Sequence, residues 1–270
     1  MITPVGVLGC GRMGNPMALA LFRAAFDTRG FDIRPSAGMG ELAPYMSESI
    51  EDFGRGLKVA ITVVRDIQQT EDALFGAQNL LSHAPDLSHL VISSTLSPRY
   101  VQDLRNRVPQ HIALVDAPMS GAAIAASEAR LSFMLGGDDD ALATLDPLIR
   151  AMGKSLHHMG EFGQGMQAKV LNNLLAASHT AMTRLVLDWA DALEVDTKRL
   201  LALIDASSGQ NWFASNFEEI EFSRDGLEPD NTISIIVKDV ESALDAAPAG
   251  ADVTLPRAVQ DAVRGLNPRD

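Results

Sequence analysis

A short apolar run, Thr3 to Leu8, leads straight into Gly9-Cys10-Gly11-Arg12-Met13-Gly14 and then into an apolar, helix-favouring segment through Ala25. A glycine turn between a strand and a helix restricts this chain more than any other feature in it. The run before it is short and β-branched enough for a buried parallel strand. In the GxGxxG spacing the first glycine permits a tight turn, the second lets a pyrophosphate approach the backbone, and the third lets the helix pack closely on the strand. Free N–H groups of the loop and helix start, with Arg12 and Met13 beside them, would face the phosphates. An acid, Asp32, closes the next predicted strand (Thr28 to Phe31) about 20 residues on, where the adenosine ribose of NAD lies in such a unit. Arg34, two residues later, could instead pair with the 2′-phosphate of NADP. The pattern predicts a dinucleotide site that takes NAD, with NADP as the alternative.

Further strand-like runs recur between helical segments: Val59 to Val64, Leu90 to Ser93, Ala113 to Asp116, Leu131 to Leu135 and Ser155 to Met159. Alternation of this kind predicts an α/β Rossmann domain with a mostly parallel sheet, whose ligands sit outside the carboxyl ends of the strands. From Gln164 onward the strand signal disappears. Met166 to about Glu194 reads as one long helix of about 40 Å, followed by helical segments near Thr197 to Ala206, Asp230 to Ala247 and Leu255 to Val263. We therefore expect a dinucleotide-binding domain over 1–162 and an all-helical substrate and dimerisation domain over 163–270, joined through the long helix. That helix carries Val170, Leu174, Leu175, Leu185, Val186 and Leu187 on more than one face, so a second subunit is expected to cover part of it.

The start of the long helix also carries a chemical signal. Lys169 and Asn173 are one turn apart and share a face. Set among Val170, Leu171, Leu174 and Leu175, a lysine loses water and its pKa falls toward neutrality, where it can exchange a proton with a substrate hydroxyl. The alternative is a lysine that snorkels along apolar neighbours to reach solvent. Asp116-Ala117-Pro118-Met119-Ser120-Gly121 ends a predicted strand on the ligand side, where Ser120 and Gly121 could meet a carboxylate or simply form a turn. Ser93-Ser94-Thr95-Leu96-Ser97-Pro98 ends another, with Ser97 at a helix N-cap and Pro98 at its first position. Lys238-Asp239 reads as a surface ion pair or as a second cation over the site, and the sequence alone favours the surface.

Composition closes off other classes. A net charge of −13 argues against nucleic acid and against anionic membrane surfaces. The single cysteine, Cys10, leaves no disulfide framework or CxxC site, which fits a reducing cytoplasm. No leader segment or transmembrane-length apolar run is visible, so a soluble protein is expected. Ser120 lies outside a GxSxG elbow, and His157-His158 lacks the acidic company of a metal site, so no metal is expected. The run Asp138-Asp139-Asp140 reads as a helix cap with first-turn charge.

Taken together, Gly9-x-Gly11-x-Met13-Gly14, Ser94-Thr95, Asp116-Ala117-Pro118-Met119-Ser120-Gly121, Gly163-x-Gly165-x-x-x-Lys169-x-x-Asn172-Asn173 and Lys238-Asp239 stand in the order and spacing of a known group. Over nearly its whole length the chain resembles the β-hydroxyacid dehydrogenases, which include 3-hydroxyisobutyrate dehydrogenase and tartronate semialdehyde reductase. The resemblance implies hydride transfer between a nicotinamide and the β-carbon of a small 3-hydroxy acid or semialdehyde. It implies Lys169 as catalytic acid/base, with Ser120, Gly121, Asn173 and Lys238 at the substrate. It places Gly9, Gly11, Arg12, Met13, Gly14, Asp32, Arg34, Val64, Arg65 and Thr95 along the cofactor, and it implies a homodimer or homotetramer.

Departures from the resemblance carry their own expectations. Ala122 follows Ser120-Gly121 where a second glycine is usual, and Ala129 replaces another, so added methyl groups would narrow the pocket or restrict the backbone. Arg65 replaces a common proline and brings a cation toward the cofactor. The chain also stops soon after Leu255-Pro256, so one wall of the cleft would be missing or come from a neighbouring subunit. Two other functions remain open: an imine reductase on the same scaffold, whose members commonly lack this lysine, and an NAD(P)-binding sensor that has lost activity.

Overall fold

The computed structural model describes residues 2–269. The chain divides into two compact units, Met1–Lys169 and Val170–Asp270. In the first, β1 (Val5–Leu8), β2 (Thr28–Phe31), β3 (Val59–Thr62), β4 (His89–Ile92) and β5 (Ala113–Asp116) pair in parallel in the order β2-β1-β3-β4-β5. The expected Rossmann sheet is present, and the strand limits lie close to those read from the alternation of apolar runs. Beyond β5 the direction reverses. β6 (Met119–Ser120) and β7 (Leu131–Gly136) pair antiparallel, β7 also runs antiparallel to β5, and β8 (Gly153–Gly160) pairs parallel with β7. The two-residue β6 leaves no mark in the sequence, because so short a segment has no periodicity to read.

Helices cover both faces, as parallel strands buried on both sides require. These are α1 (Gly14–Arg23), α2 (Ile50–Gly54), α3 (Ile67–Leu74), α4 (Leu80–His83), α5 (Pro98–Arg107), α6 (Ala122–Ser127) and α7 (Asp139–Met152). One core packs Met17, Leu21, Leu145 and Ile149 against Val5, Val7 and Phe133. The other packs Phe53, Leu74, Val101 and Leu104 against Ala60, Leu90 and Leu114. Each large side chain so buried contributes about 1.5–3 kcal/mol. Ser97 and Pro98 take the expected N-cap and first-turn positions of α5. Asp138 caps α7 by accepting the N–H of Asp140.

The second unit is helical: the continuation of α8 (Gln164–Ala192), then α9 (Thr197–Asp205), α10 (Trp212–Ser215), α11 (Thr232–Asp245) and α12 (Thr254–Arg264). One cluster joins Ala177 and Ala181 of α8 to Ile233, Val240, Val259 and Val263, and a second gathers Leu187, Phe213 and Phe217. Arg184, 1% exposed, donates to the carbonyls of Ser223, Asp225 and Asn267 and so ties α8 to two loops. No helix among the described residues is long and apolar enough to cross a membrane.

Candidate active site

The glycine turn at the carboxyl end of β1 has separable steric causes. Gly9 has φ +94°, and a Cβ there would stand 2.7 Å from the Val63 carbonyl oxygen. A Cβ on Gly14 would stand 2.0 Å from the Gly9 carbonyl oxygen, so only glycine lets α1 start this close to the strand. Gly11 differs. A Cβ there would meet only the Arg34 guanidinium, at 3.6 Å, so its small size leaves room above the loop rather than inside the fold. Among the described residues no side chain caps α1. Clear space over an uncapped helix start is what a pyrophosphate needs.

Asp32 and Arg34 form one unit at the end of β2. Asp32 accepts the Arg34 backbone N–H and two guanidinium N–H groups, all at 2.9 Å. Burial raises the Asp32 carboxyl, but these bonds outweigh it and hold the group below the usual carboxylate range. The acid and the arginine at the expected adenosine-ribose position are therefore ion-paired with each other. Cys10 is buried beside them, its thiol donating to the Val7 carbonyl at 3.4 Å, and burial pushes it up to about 12. A thiol held protonated is an inert filler of the turn.

Val64 and Arg65 follow β3, where the Arg65 N–H donates to Gln69. After β4, the Ser93 and Ser94 hydroxyls are buried with no hydrogen-bond partner among the described residues, and Thr95 comes next. Orphaned hydroxyls at the carboxyl end of a central strand suit the polar groups of a ligand. Ser120 lies in β6, and Gly121 at φ +137° opens α6. Ala122 and Ala129 keep the left-handed backbone that glycine favours, at φ +54° and +52°. The departures thus fall on strained backbone.

Lys169 is 7% exposed. Of the apolar neighbours expected around it, Val170 is buried, whereas Leu171 and Leu175 are 59% and 60% exposed. They lie on the outer stripe of α8 and do not line the lysine. In the second unit, Asn173 donates to Asp239 Oδ2 at 2.6 Å, and Lys238 pairs with Asp239 Oδ1 at 2.8 Å. Asp239 is 5% exposed, which corrects the surface-pair reading. Two acids went unassigned in the sequence. Asp239 gathers Asn173 and Lys238, and Asp116 ends β5 fully buried while accepting backbone N–H groups of Gly163 and Met166. The one sequence signal for Asp116 is its place at the end of an apolar strand, where a lone carboxylate needs partners.

Comparison with known proteins bears on the family and the fold. A family described as the NAD binding domain of 6-phosphogluconate dehydrogenase matches residues 4–160. One described as the NAD-binding of NADP-dependent 3-hydroxyisobutyrate dehydrogenase matches 163–267. The human mitochondrial 3-hydroxyisobutyrate dehydrogenase is 30% identical over 254 residues, spanning 91% of this chain and 76% of its own length. An NAD-dependent L-serine dehydrogenase of Pseudomonas aeruginosa is 31% identical over 260 residues, spanning 93% and 87%. A 3-hydroxyisobutyrate dehydrogenase of Mycobacterium tuberculosis solved with L-serine superposes with TM-score 0.80 at 26% identity, covering 97% of this chain and 92% of that one. An imine reductase of Myxococcus stipitatus, at 15% identity and TM-score 0.63, shares the fold alone.

Proposed function

We propose, on the premise that this chain belongs to the β-hydroxyacid dehydrogenase family, how its residues divide the work of an NAD(P)-dependent oxidoreductase. A nicotinamide held in this site would supply the hydride acceptor or donor for the β-carbon of a small 3-hydroxy acid. Gly9, Gly11 and Gly14, with Arg12 and Met13, hold the pyrophosphate. Asp32 and Arg34 meet the adenosine ribose and favour NAD, while Val64, Arg65 and Thr95 follow the cofactor toward its reacting end. Ser120, Gly121, Asn173 and Lys238 hold the substrate carboxylate and neighbouring polar groups. Lys169 takes the hydroxyl proton in oxidation and returns it in reduction.

The observation that carries this reading is a lysine 7% exposed in the first turns of α8, in a chain whose glycine loop is shaped for a dinucleotide. A buried ammonium has to be held by polar or charged surroundings, and the same surroundings fix where it can exchange a proton. Residues 1–162 would then bind the cofactor and 163–270 the substrate and a second subunit, in a cytoplasmic enzyme. An exposed stripe of Leu171, Leu175, Met182, Leu185 and Trp189 on α8 supports pairing of subunits. The intact Lys169 and Asn173 pair weighs against both an imine reductase and an inactive sensor.

The test is NADH absorbance with 3-hydroxyisobutyrate, L-serine, L-threonate and matching semialdehydes, on the wild type and Lys169→Ala. The alanine enzyme should lose about 10²–10⁴-fold in kcat while NADH binding stays nearly intact. Lys169→Arg should not restore turnover, because a guanidinium cannot accept a proton at neutral pH. Retention of more than about a tenth of kcat by Lys169→Ala would remove the assigned role.

A further inference from the structure

Asp116 ends β5 with its side chain inside the protein, and its carboxylate meets a helix start. Oδ1 accepts the N–H of Gly163 at 2.6 Å, and Oδ2 accepts the N–H of Met166. Gly163 immediately precedes α8, and Met166 is its third residue. Such amides have no intrahelical partner, and a local Ser, Thr, Asp or Asn usually takes them. Gly163 has no side chain to offer, so the cap comes from a strand 47 positions earlier in the chain.

Glycines keep the space for it. A Cβ on Gly165 would stand 2.9 Å from Asp116 Oδ2 and 2.5 Å from the Met134 carbonyl oxygen, and one on Gly136 would stand 2.3 Å from Oδ1. Met166 makes a second link, its Sδ accepting the N–H of Leu96 at 3.4 Å, next to Thr95. Lys169 lies three residues beyond Met166, on the following turn.

We infer that Asp116 is a positioning residue whose carboxylate fixes the first turn of α8 and thereby the place at which Lys169 is presented. This rests on the reading of Lys169 as the proton carrier. Stability alone does not account for the group: burial pushes the carboxyl up to about 6 despite the helix amides, so its surroundings disfavour the ionised form. A hydroxyl cap on the helix itself would satisfy an amide without burying a charge. A carboxylate that takes both amides from β5 instead ties α8 to the strand that leads into Ser120 and Gly121.

Asp116→Asn keeps the size but turns an N–H donor toward an N–H donor. In the holoenzyme, kcat should fall about 10–100-fold, the loss expected of a misplaced reacting group. NADH affinity, read by fluorescence, should stay within about twofold, and the primary deuterium isotope effect should rise as the chemical step becomes limiting. In a Lys169→Ala background the same substitution should change kcat by less than about twofold, because the group it acts through is gone. A merely structural role predicts the opposite: a kcat loss matched by lost NADH sites, an unchanged isotope effect and additivity with Lys169→Ala. That result overturns the inference. If Asp116→Asn does not fold, Gly165→Ala disturbs the same contact from the helix side and the same readouts apply. If neither variant binds NADH, Asp116 serves stability and the inference falls. Full activity of Lys169→Ala would instead overturn the proton-carrier reading, whatever Asp116 does.

Discussion

The side-chain amide of Asn173 donates to Asp239 across 2.6 Å, while the other carboxylate oxygen of Asp239 pairs with Lys238 at 2.8 Å. An ionised carboxylate only accepts hydrogen bonds, so the nitrogen of the amide must face Asp239. Asn173 Oδ1 is thereby turned the other way, where it accepts from Asn172 at 3.2 Å. One buried acid sets the orientation of two residues assigned to the substrate.

Asn173→Ala should therefore act on binding more than on chemistry. Losing a hydrogen bond to a charged group costs about 1.5–3 kcal/mol, which corresponds to a KM about tenfold higher or more, with an equal or smaller fall in kcat. Asp239→Asn should raise KM in the same direction, since it frees the amide to turn. Steady-state kinetics on the best substrate decide the matter; a loss confined to kcat would contradict a binding role.

NAD should outperform NADP in kcat/KM. On the proposed reading Asp32 would accept from the ribose hydroxyls and repel a 2′-phosphate, and its bonds to Arg34 hold its carboxyl below the usual carboxylate range. Arg34→Ala should widen the preference for NAD, and Asp32→Ala should narrow or reverse it, each by about tenfold. A wild type that prefers NADPH would show that Arg34 prevails over Asp32.

The protein should be at least a dimer. Leu171, Leu175, Met182, Leu185 and Trp189 are each 42% exposed or more, at spacings that set them along one side of α8. Light scattering at micromolar concentration should return twice 28.9 kDa or a higher multiple. Trp189→Glu, which places a charge in that stripe, should shift the mass toward 28.9 kDa, and a monomeric wild type would refute the pairing.

Ala122→Gly and Ala129→Gly should each stabilise the fold by about 1 kcal/mol. Both alanines hold φ near +50°, where a Cβ crowds the following carbonyl oxygen and the strain exceeds the extra entropy a glycine loses. For a chain of this size that gain corresponds to about 2–4 °C in Tm. A fall in Tm on either substitution would mean that the methyl groups pack usefully despite the backbone.

Stability should respond to Asp116 in a defined pH window. Its folded pKa, about 6, lies above the ordinary 3.8, so between those values the native state binds more protons than the unfolded chain. This group's contribution therefore falls as pH rises through the window and is level on either side. Asp116→Asn lacks the titration, so wild type should lose on the order of 2–3 kcal/mol relative to it between pH 4 and 7. Urea unfolding of both proteins across that range measures the difference, and parallel curves would show that the carboxyl titrates normally.

Much of this was legible in local pattern. Strand, glycine turn and helix are encoded by residues within a few positions of one another, and burial on both faces of a parallel strand leaves a continuous apolar run. That is why β2 and β5 fall where their runs begin and end, and why α8, read as starting at Met166, starts at Gln164. Cofactor class and the lysine candidate followed from the same short spacings. Other features rest on partners far apart in the chain. Asp116 meets Gly163 across 47 positions and Asn173 meets Asp239 across 66, and nothing near either acid announces its partner. Apolar periodicity likewise marks Leu171 and Leu175 as residues to be covered without saying by what, so the fold had to show that they face outward. Sequence determined the elements and the chemistry available to them, because both arise from local spacing. Only the tertiary structure decided which buried charges are held and which apolar faces stay open, because those depend on what the folded chain brings alongside.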